Sequence, residues 1–396
     1  MIRFHYRQGS RLVGEYDVLA RPRTITAGFF GLNSQDWPVR AVTSGGNGTT
    51  APSFRFGTFG THDCSALHWA ALHPSDGVFN WAAMDALVAE MQTRQDGSVL
   101  FSLYGTPTWL AQPSQAGVSA PYGHLGGGSY PTDLSKLVQF CTALMTRYNG
   151  GGDRNIKYVQ LWNEPENSTP FDGVASFNEF WFGTATQFVD TIATAYAALK
   201  AADPGIVCLS PGTYSAPVFT TWNNSQGPIT GKFGRECYDA VAGHAYHGSP
   251  NNVYEGYGPI ETINQGGLRR MRVALEDSGN QNNLDQYVTE WGIDSASYAA
   301  SPKTQAFMGQ TPEYRATFYT RLFVNAALRG YEVFAPFSYG NTFGNCAGNL
   351  ADDPLGIELG WERAYTALVG KTIVGGTCDT FGVFRVRFSD GTVFTA

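Results

Sequence analysis

Charge is scarce in this chain. Asp, Glu, Lys and Arg make up 15% of its 396 residues, against roughly a quarter in an ordinary soluble domain. The balance is acidic, a net −7, so the clustered lysines and arginines of a nucleic-acid surface are missing. No run of about eighteen apolar residues occurs, which excludes a membrane-spanning helix. The six cysteines, Cys64, Cys141, Cys208, Cys237, Cys346 and Cys378, include no C-x-x-C pair, so neither a zinc site nor a dithiol redox centre is expected. Cys208, inside Ile206-Val207-Cys208-Leu209, reads as a small buried hydrophobe; Cys346 and Cys378, flanking the last expected helix, are the candidates for a disulfide. The seven histidines contain one close pair, His244 and His247, and no H-E-x-x-H, so a metallohydrolase is not expected. No Gly-rich dinucleotide turn follows the first β-like run. The chain opens without a charged-then-apolar leader; an exported protein, secreted or periplasmic, is still the expectation.

Aromatic residues, in contrast, are plentiful: 9 Trp, 20 Tyr and 26 Phe. Most of them serve a large core, and the rest suit a protein that stacks the C–H faces of sugars on flat rings.

Eight short β-like runs punctuate the chain, at residues 24–32, 53–59, 98–104, 156–162, 206–210, 240–245, 286–289 and 332–339. Amphipathic stretches lie between them. Trp81, Met84, Leu87, Val88 and Met91 share one helical face, as do Leu134, Leu137, Val138, Cys141, Leu144, Met145 and Tyr148. Phe188, Ile192, Tyr196 and Leu199 repeat the pattern, followed by Leu268, Met271 and Leu275, then Phe318, Leu322, Phe323 and Ala326. Strands alternating with helices predict right-handed βαβ units closing into an α/β (β/α)₈ TIM barrel. Two helices are not visible: after the first run, where 43–50 is a Gly/Ser/Thr-rich loop, and between the fifth and sixth. Beyond 370 the pattern turns to strands, at 372–374, 381–388 and 392–395, and the opening segments 2–6 and 15–19 are strand-like too. The expected organisation is a catalytic barrel at 22–370 and a small accessory β-domain from 1–21 and 371–396.

Two strings carry the chemistry, Leu161-Trp162-Asn163-Glu164-Pro165 and Val288-Thr289-Glu290-Trp291-Gly292. Each sets one glutamate at the mouth of a β-like run, the fourth and the seventh, where it is held rigidly yet faces ligand. Cleaving a glycosidic bond takes one carboxylic acid and one carboxylate across it. Trp162-Asn163-Glu164-Pro165 with the later Glu290 resembles the clan A retaining glycoside hydrolases. Within that clan the chain is most similar to family 39, of β-xylosidases and exopolysaccharide endo-glycosidases: His73-Pro74-Ser75-Asp76-Gly77-Val78-Phe79-Asn80-Trp81 and Thr106-Pro107-Thr108-Trp109 resemble its segments before the second helix and after the third strand. The likeness spans roughly 25–370.

The resemblance implies Glu164 as acid/base and Glu290 as nucleophile in a double displacement at a β-configured O-glycosidic bond of a polysaccharide or oligosaccharide, with no cofactor and no metal. It implies Asn163 on the sugar 2-hydroxyl, Tyr246 of His244-Ala245-Tyr246 orienting the nucleophile, and Arg55 as the cation beside it. Trp109 and Trp291 are candidate sugar platforms, and His62, Asp63 and Asn33 further site candidates at strand mouths. The clan's Trp at the end of strand eight is missing from Phe334-Ala335-Pro336-Phe337-Ser338-Tyr339, which leaves the −1 sugar open. Two alternatives stand: an α-L-arabinofuranosidase of the same clan, and a carbohydrate-binding barrel without catalysis. The stretch 111–130 after the third run is long enough to wall either a groove or a pocket.

Overall fold

Period-two alternation builds the wall of the molecule. In the strand Ser98–Ser102, Val99 and Phe101 join the large outer core, while Leu100 joins a smaller inner cluster. A computed structural model describes residues 2–8, 11–18, 22–33, 54–165, 171, 173, 179–213, 215–246, 285–292, 311–328, 330–336, 354–379 and 383–396. In chain order the strands are β1 (Ile2–Gln8), β2 (Arg11–Val18), β3 (Arg23–Thr24), β4 (Gly31–Asn33), β5 (Thr58–Gly60), β6 (Ser98–Ser102), β7 (Ile156–Gln160), β8 (Val207–Leu209), β9 (Val241–Tyr246), β10 (Gln286–Gly292), β11 (Tyr331–Pro336), β12 (Thr372–Asp379), β13 (Phe384–Phe388) and β14 (Val393–Thr395). The helices are α1 (Trp69–Leu72), α2 (Ala82–Gln92), α3 (Leu134–Asn149), α4 (Ala185–Ala202), α5 (Ala216–Asn224), α6 (Pro312–Leu328) and α7 (Pro354–Leu368).

Strands β4 to β8 pair in parallel in chain order, and β9, β10 and β11 form a second parallel sheet. Parallel bridges Leu209↔Ala240 and Phe30↔Phe334 join the two sheets on both sides, so the eight strands run as a ring. Inside it pack Leu100, Leu209, Ala242, Tyr287, Val333 and Ala335. Outside it, Val99, Val159, Cys208, Val288 and Phe334 meet the apolar faces of the helices, among them Leu87, Leu144, Ile192, Phe323 and Trp361. Each such side chain, fully buried, contributes roughly 1.5–3 kcal/mol. Helix starts are set locally: Asp133 accepts from the Ser135 N–H, and Thr184 with Gln187 forms a capping box.

The differences from expectation have local causes. A helix does lie between the fifth and sixth ring strands: α5 is nine residues long, and its Pro, two Thr and two Asn hide the periodicity that buries Phe219 and Trp222. Residues 27–29, read as strand, form a 3₁₀ turn before β4. Val138 is 39% exposed rather than on the buried face of α3. The expected helix around 268–275, the loop 43–50, and Cys346, Phe337 and Tyr339 lie outside the described residues, as does the Cys378 side chain. The other four cysteines are buried, and Cys141, Cys208 and Cys237 are free thiols. Among the described residues, no helix is long and apolar enough to cross a membrane.

Both ends of the chain contribute to a separate antiparallel sheet of order β1-β2-β12-β13-β14, with β3 also on β12. Phe384, Val386 and Phe388 of β13 point to the core while Arg385 and Arg387 point out.

Candidate active site

The site forms where β7 ends, and the backbone there is strained. Trp162 and Glu164 take φ values of 96° and 30°, in the left-handed region where a side chain other than that of glycine costs of order 1–3 kcal/mol. The surroundings hold them: Trp162 is fully buried with its indole N–H donating to the Phe180 carbonyl, and the Glu164 N–H donates to the Gly212 carbonyl at 2.8 Å. The kink turns the Glu164 carboxyl inward to His244 of β9, whose Nδ1 lies 2.5 Å from Glu164 Oε1. The same nitrogen stands 3.4 Å from Glu290 Oε2 on the neighbouring β10. Glu164, His244 and Glu290 thus each offer an atom within 4.8 Å of the others. Glu290 sits within β10 rather than past its end, and only 3% of its side chain is exposed, against 16% for Glu164.

Gly212 makes this closeness possible. A Cβ there would run into His244 Nε2 and Gln160 Nε2, so no larger residue fits beneath the pair. Asn163 lies fully buried, its Oδ1 accepting from Gln160 Nε2 at 3.1 Å and its Nδ2 without a partner among the described residues. A buried amide with an unused donor beside two carboxyls is equipped to bind an incoming hydroxyl.

Strand β5 supplies the other wall. His62 Nε2 lies 3.2 Å from Glu290 Oε1. The phenol of Tyr122, from the 111–130 stretch, donates to Asp63 Oδ1 at 2.9 Å and lies 3.0 Å from His62 Nε2. Behind them His68 Nε2 reaches the His62 carbonyl at 2.6 Å, and His68 Nδ1 reaches His124 Nε2 at 2.9 Å. A carbonyl only accepts, so His68 carries its proton on Nε2 and receives one from His124. Burial pushes His62 well below its ordinary value, helped by His68 and His244; it likewise takes His68 to about 3 and His124 to about 4. These imidazoles are neutral at physiological pH. Burial also drives the Asp63 carboxyl up to about 8, the Tyr122 hydrogen bond opposing this and the nearby Glu164 adding to it. Asn33 ties the first ring strand to the seventh, donating to the Thr289 carbonyl at 2.7 Å.

Arg55 is a correction. Expected beside the nucleophile, it precedes the start of β5, at the end of the ring opposite to His62 and Asp63. Its side chain is 54% exposed and bonds Glu362 of α7 at 2.6 Å. Trp109 is half-buried, its indole N–H donating to the His73 carbonyl and its ring edge-on to His73; no described contact joins it to the glutamates. Tyr246 ends β9 and the Trp291 backbone pairs with Ala245 and Pro336, but the side chains of Tyr246 and Trp291 lie outside the described residues. Tyr122, His124 and Gly212 were not foreseen. No periodicity marks them; Tyr122-Gly123 inside the noted loop was the only trace, both with φ above 60°, at 65° and 78°.

Glu164, His244 and Glu290 are also a ligand set of the kind that seats a divalent cation. His244 Nδ1 is at hydrogen-bond distance from Glu164, so a proton would have to leave before a metal entered.

Neither a family model nor a curated protein sequence matches the chain. Solved structures do. A glucosidase from Croceicoccus marinus superposes with a TM-score of 0.60 at 14% identity, over 97% of this chain and 78% of that one. A monomeric β-xylosidase from Caulobacter crescentus gives 0.57 at 18% identity, over 94% and 74%. A family 39 glycoside hydrolase from the gut symbiont Bacteroides cellulosilyticus gives 0.56 at 16%, over 97% and 74%. The chain therefore has the fold of these glycoside hydrolases along nearly its whole length.

Proposed function

We propose that the protein is a retaining glycoside hydrolase acting on β-O-glycosidic bonds of an oligosaccharide or polysaccharide. The observation that carries this reading is the pair of carboxyls, Glu164 and Glu290, with oxygens within 4.8 Å. A retaining mechanism wants about 5–5.5 Å between its carboxyls, whereas an inverting one wants roughly 6.5–9.5 Å to admit a water.

In this reading Glu290 attacks the anomeric carbon while Glu164 gives its proton to the leaving oxygen. The resulting ester removes the Glu290 charge, and Glu164, now a carboxylate, takes a proton from the water that hydrolyses the ester. Asn163 binds the sugar 2-hydroxyl through its unused Nδ2, a bond that strengthens in the oxocarbenium-like transition state. His244, between the two carboxyls, holds them in register. The terminal strands serve as a small accessory β-domain.

The test is hydrolysis of aryl glycosides, beginning with glucosides and xylosides, the sugars named for two of the structural relatives. Glu290→Ala should be rescued by azide to the inverted glycosyl azide, and Glu164→Ala to the retained one. Wild-type activity surviving either change sinks the assignment. EDTA should leave the rate unchanged.

A further inference from the structure

Three side chains beside Glu290 have no part in the displacement itself: the buried His62 and Asp63 and the half-buried Tyr122. We propose that Asp63, acting through Tyr122, is a positioning residue that keeps the phenol proton away from His62, so that an N–H and not a lone pair stands at Nε2 beside the nucleophile carboxylate. This rests on the reading of Glu290 as nucleophile.

The argument is one of hydrogen-bond direction. Tyr122 Oη lies 2.9 Å from Asp63 Oδ1 and 3.0 Å from His62 Nε2, so its single proton goes to one of them. If the phenol donates to Asp63, its oxygen is left to accept from His62 Nε2–H. If Asp63 donates to the phenol, the phenol donates to His62, and Nε2 becomes a lone pair. The position of Glu290 chooses between these. Its Oε1 stands 3.2 Å from His62 Nε2, where a lone pair would repel an ionised carboxylate and an N–H stabilises it. His62 Nδ1 points the same way. It is buried with no partner among the described residues, and a bare lone pair is tolerated there better than an orphaned N–H. In this arrangement the proton that burial keeps on Asp63 sits on Oδ2, which has no described partner and is left to meet a substrate hydroxyl.

The groups facing the trio fit the same order. Tyr122 feels Asp63, Glu290 and Glu164, and His62 feels the imidazoles of His68 and His244. Tyr122 reaches its place with a left-handed backbone, φ 65°, and its ring is held edge-on to His62 and His68 at 5.4 and 5.0 Å.

The experiment is nitrogen-15 NMR of imidazole-labelled protein, with His62 assigned through His62→Gln, beside steady-state kinetics on the best aryl glycoside. Wild type should show His62 protonated on Nε2 alone. Tyr122→Phe keeps the ring and removes the bridge; Asp63→Ala removes the end of the chain. Asp63→Ala leaves the phenol proton no acceptor but His62 Nε2, so it should show the Nδ1-protonated form and lose on the order of tenfold to a hundredfold in kcat, with KM little changed. Tyr122→Phe removes that donor and should keep Nε2 protonated. A wild-type His62 protonated on Nδ1, or an unchanged tautomer in Asp63→Ala, overturns the proposal. If the tautomers behave as expected while wild type cleaves no glycoside, the relay is upheld and the reading of the pair as catalytic is what falls.

Discussion

The two ends of the strand ring are made from the same strands and hold opposite kinds of chemistry. At the end where strands begin, charges are paired: Arg23 meets Glu332 at 3.2 Å and Arg55 meets Glu362 at 2.6 Å, over an inner layer that includes Tyr287, with Tyr158 packed against it. At the end where strands finish, buried polar atoms are left unspent, Asn163 Nδ2, His62 Nδ1 and Asp63 Oδ2 among them, and backbone angles are strained at Trp162, Glu164 and Tyr122. One end is built to be stable and the other to wait for a ligand. The difference also explains the Arg55 error, since a residue can lie on the right strand and at the wrong end.

Mutations at the two ends should therefore separate activity from stability. The largest effect is expected from Glu290→Ala, a loss of on the order of 10⁴-fold or more in kcat/KM with the fold intact by circular dichroism. A residual rate near wild type would remove the distinction between the ends. Gly212→Ala should follow. Its methyl must push His244 off the carboxyl pair, and a displacement of about 1 Å costs on the order of 10²-fold. Asn163→Ala should lose less, about tenfold to a hundredfold in kcat, provided the substrate carries a 2-hydroxyl; a 2-deoxy substrate should be indifferent to the change.

Asp63 sharpens the comparison through stability. In the fold it keeps its proton up to about 8, whereas unfolded it releases it near its ordinary 3.8. Between those values the folded state holds the extra proton, so stability falls as pH rises across that window. Asp63→Asn has no such proton, and its Tm should gain on wild type steadily from the lower value to the higher. Parallel Tm curves would mean that Asp63 ionises alike in both states. The smallest effect belongs to the opposite end: Arg55→Ala should cost about 0–1 kcal/mol and leave kcat unchanged, because the pair it breaks is largely exposed.

The ring was legible because its strands are short apolar runs, such as the fully buried β6, set between helices with a 3.6 period such as α2. The glutamates were legible because each closes an apolar run. What stayed hidden was set by tertiary distance. Tyr122 and His124 come from an aperiodic loop, and their partners stand 56 to 60 positions away. Gly212 shows its purpose only once His244 and Gln160 lie over it. Helix α5 was masked by residues chosen for packing at Phe219 and Trp222 rather than for propensity.

The sheet shared by the chain's two ends bears on how the molecule assembles. Strand β12 pairs with β2 and with β3, and Ile25 bridges Val369, contacts that span almost the entire sequence. Such contacts confine a long stretch of chain before they return any energy, so they form late and slow the final step. They stand outside the ring, whose own seam is the Phe30↔Phe334 bridge. The terminal strands are thus a clasp laid outside a ring that another bridge closes.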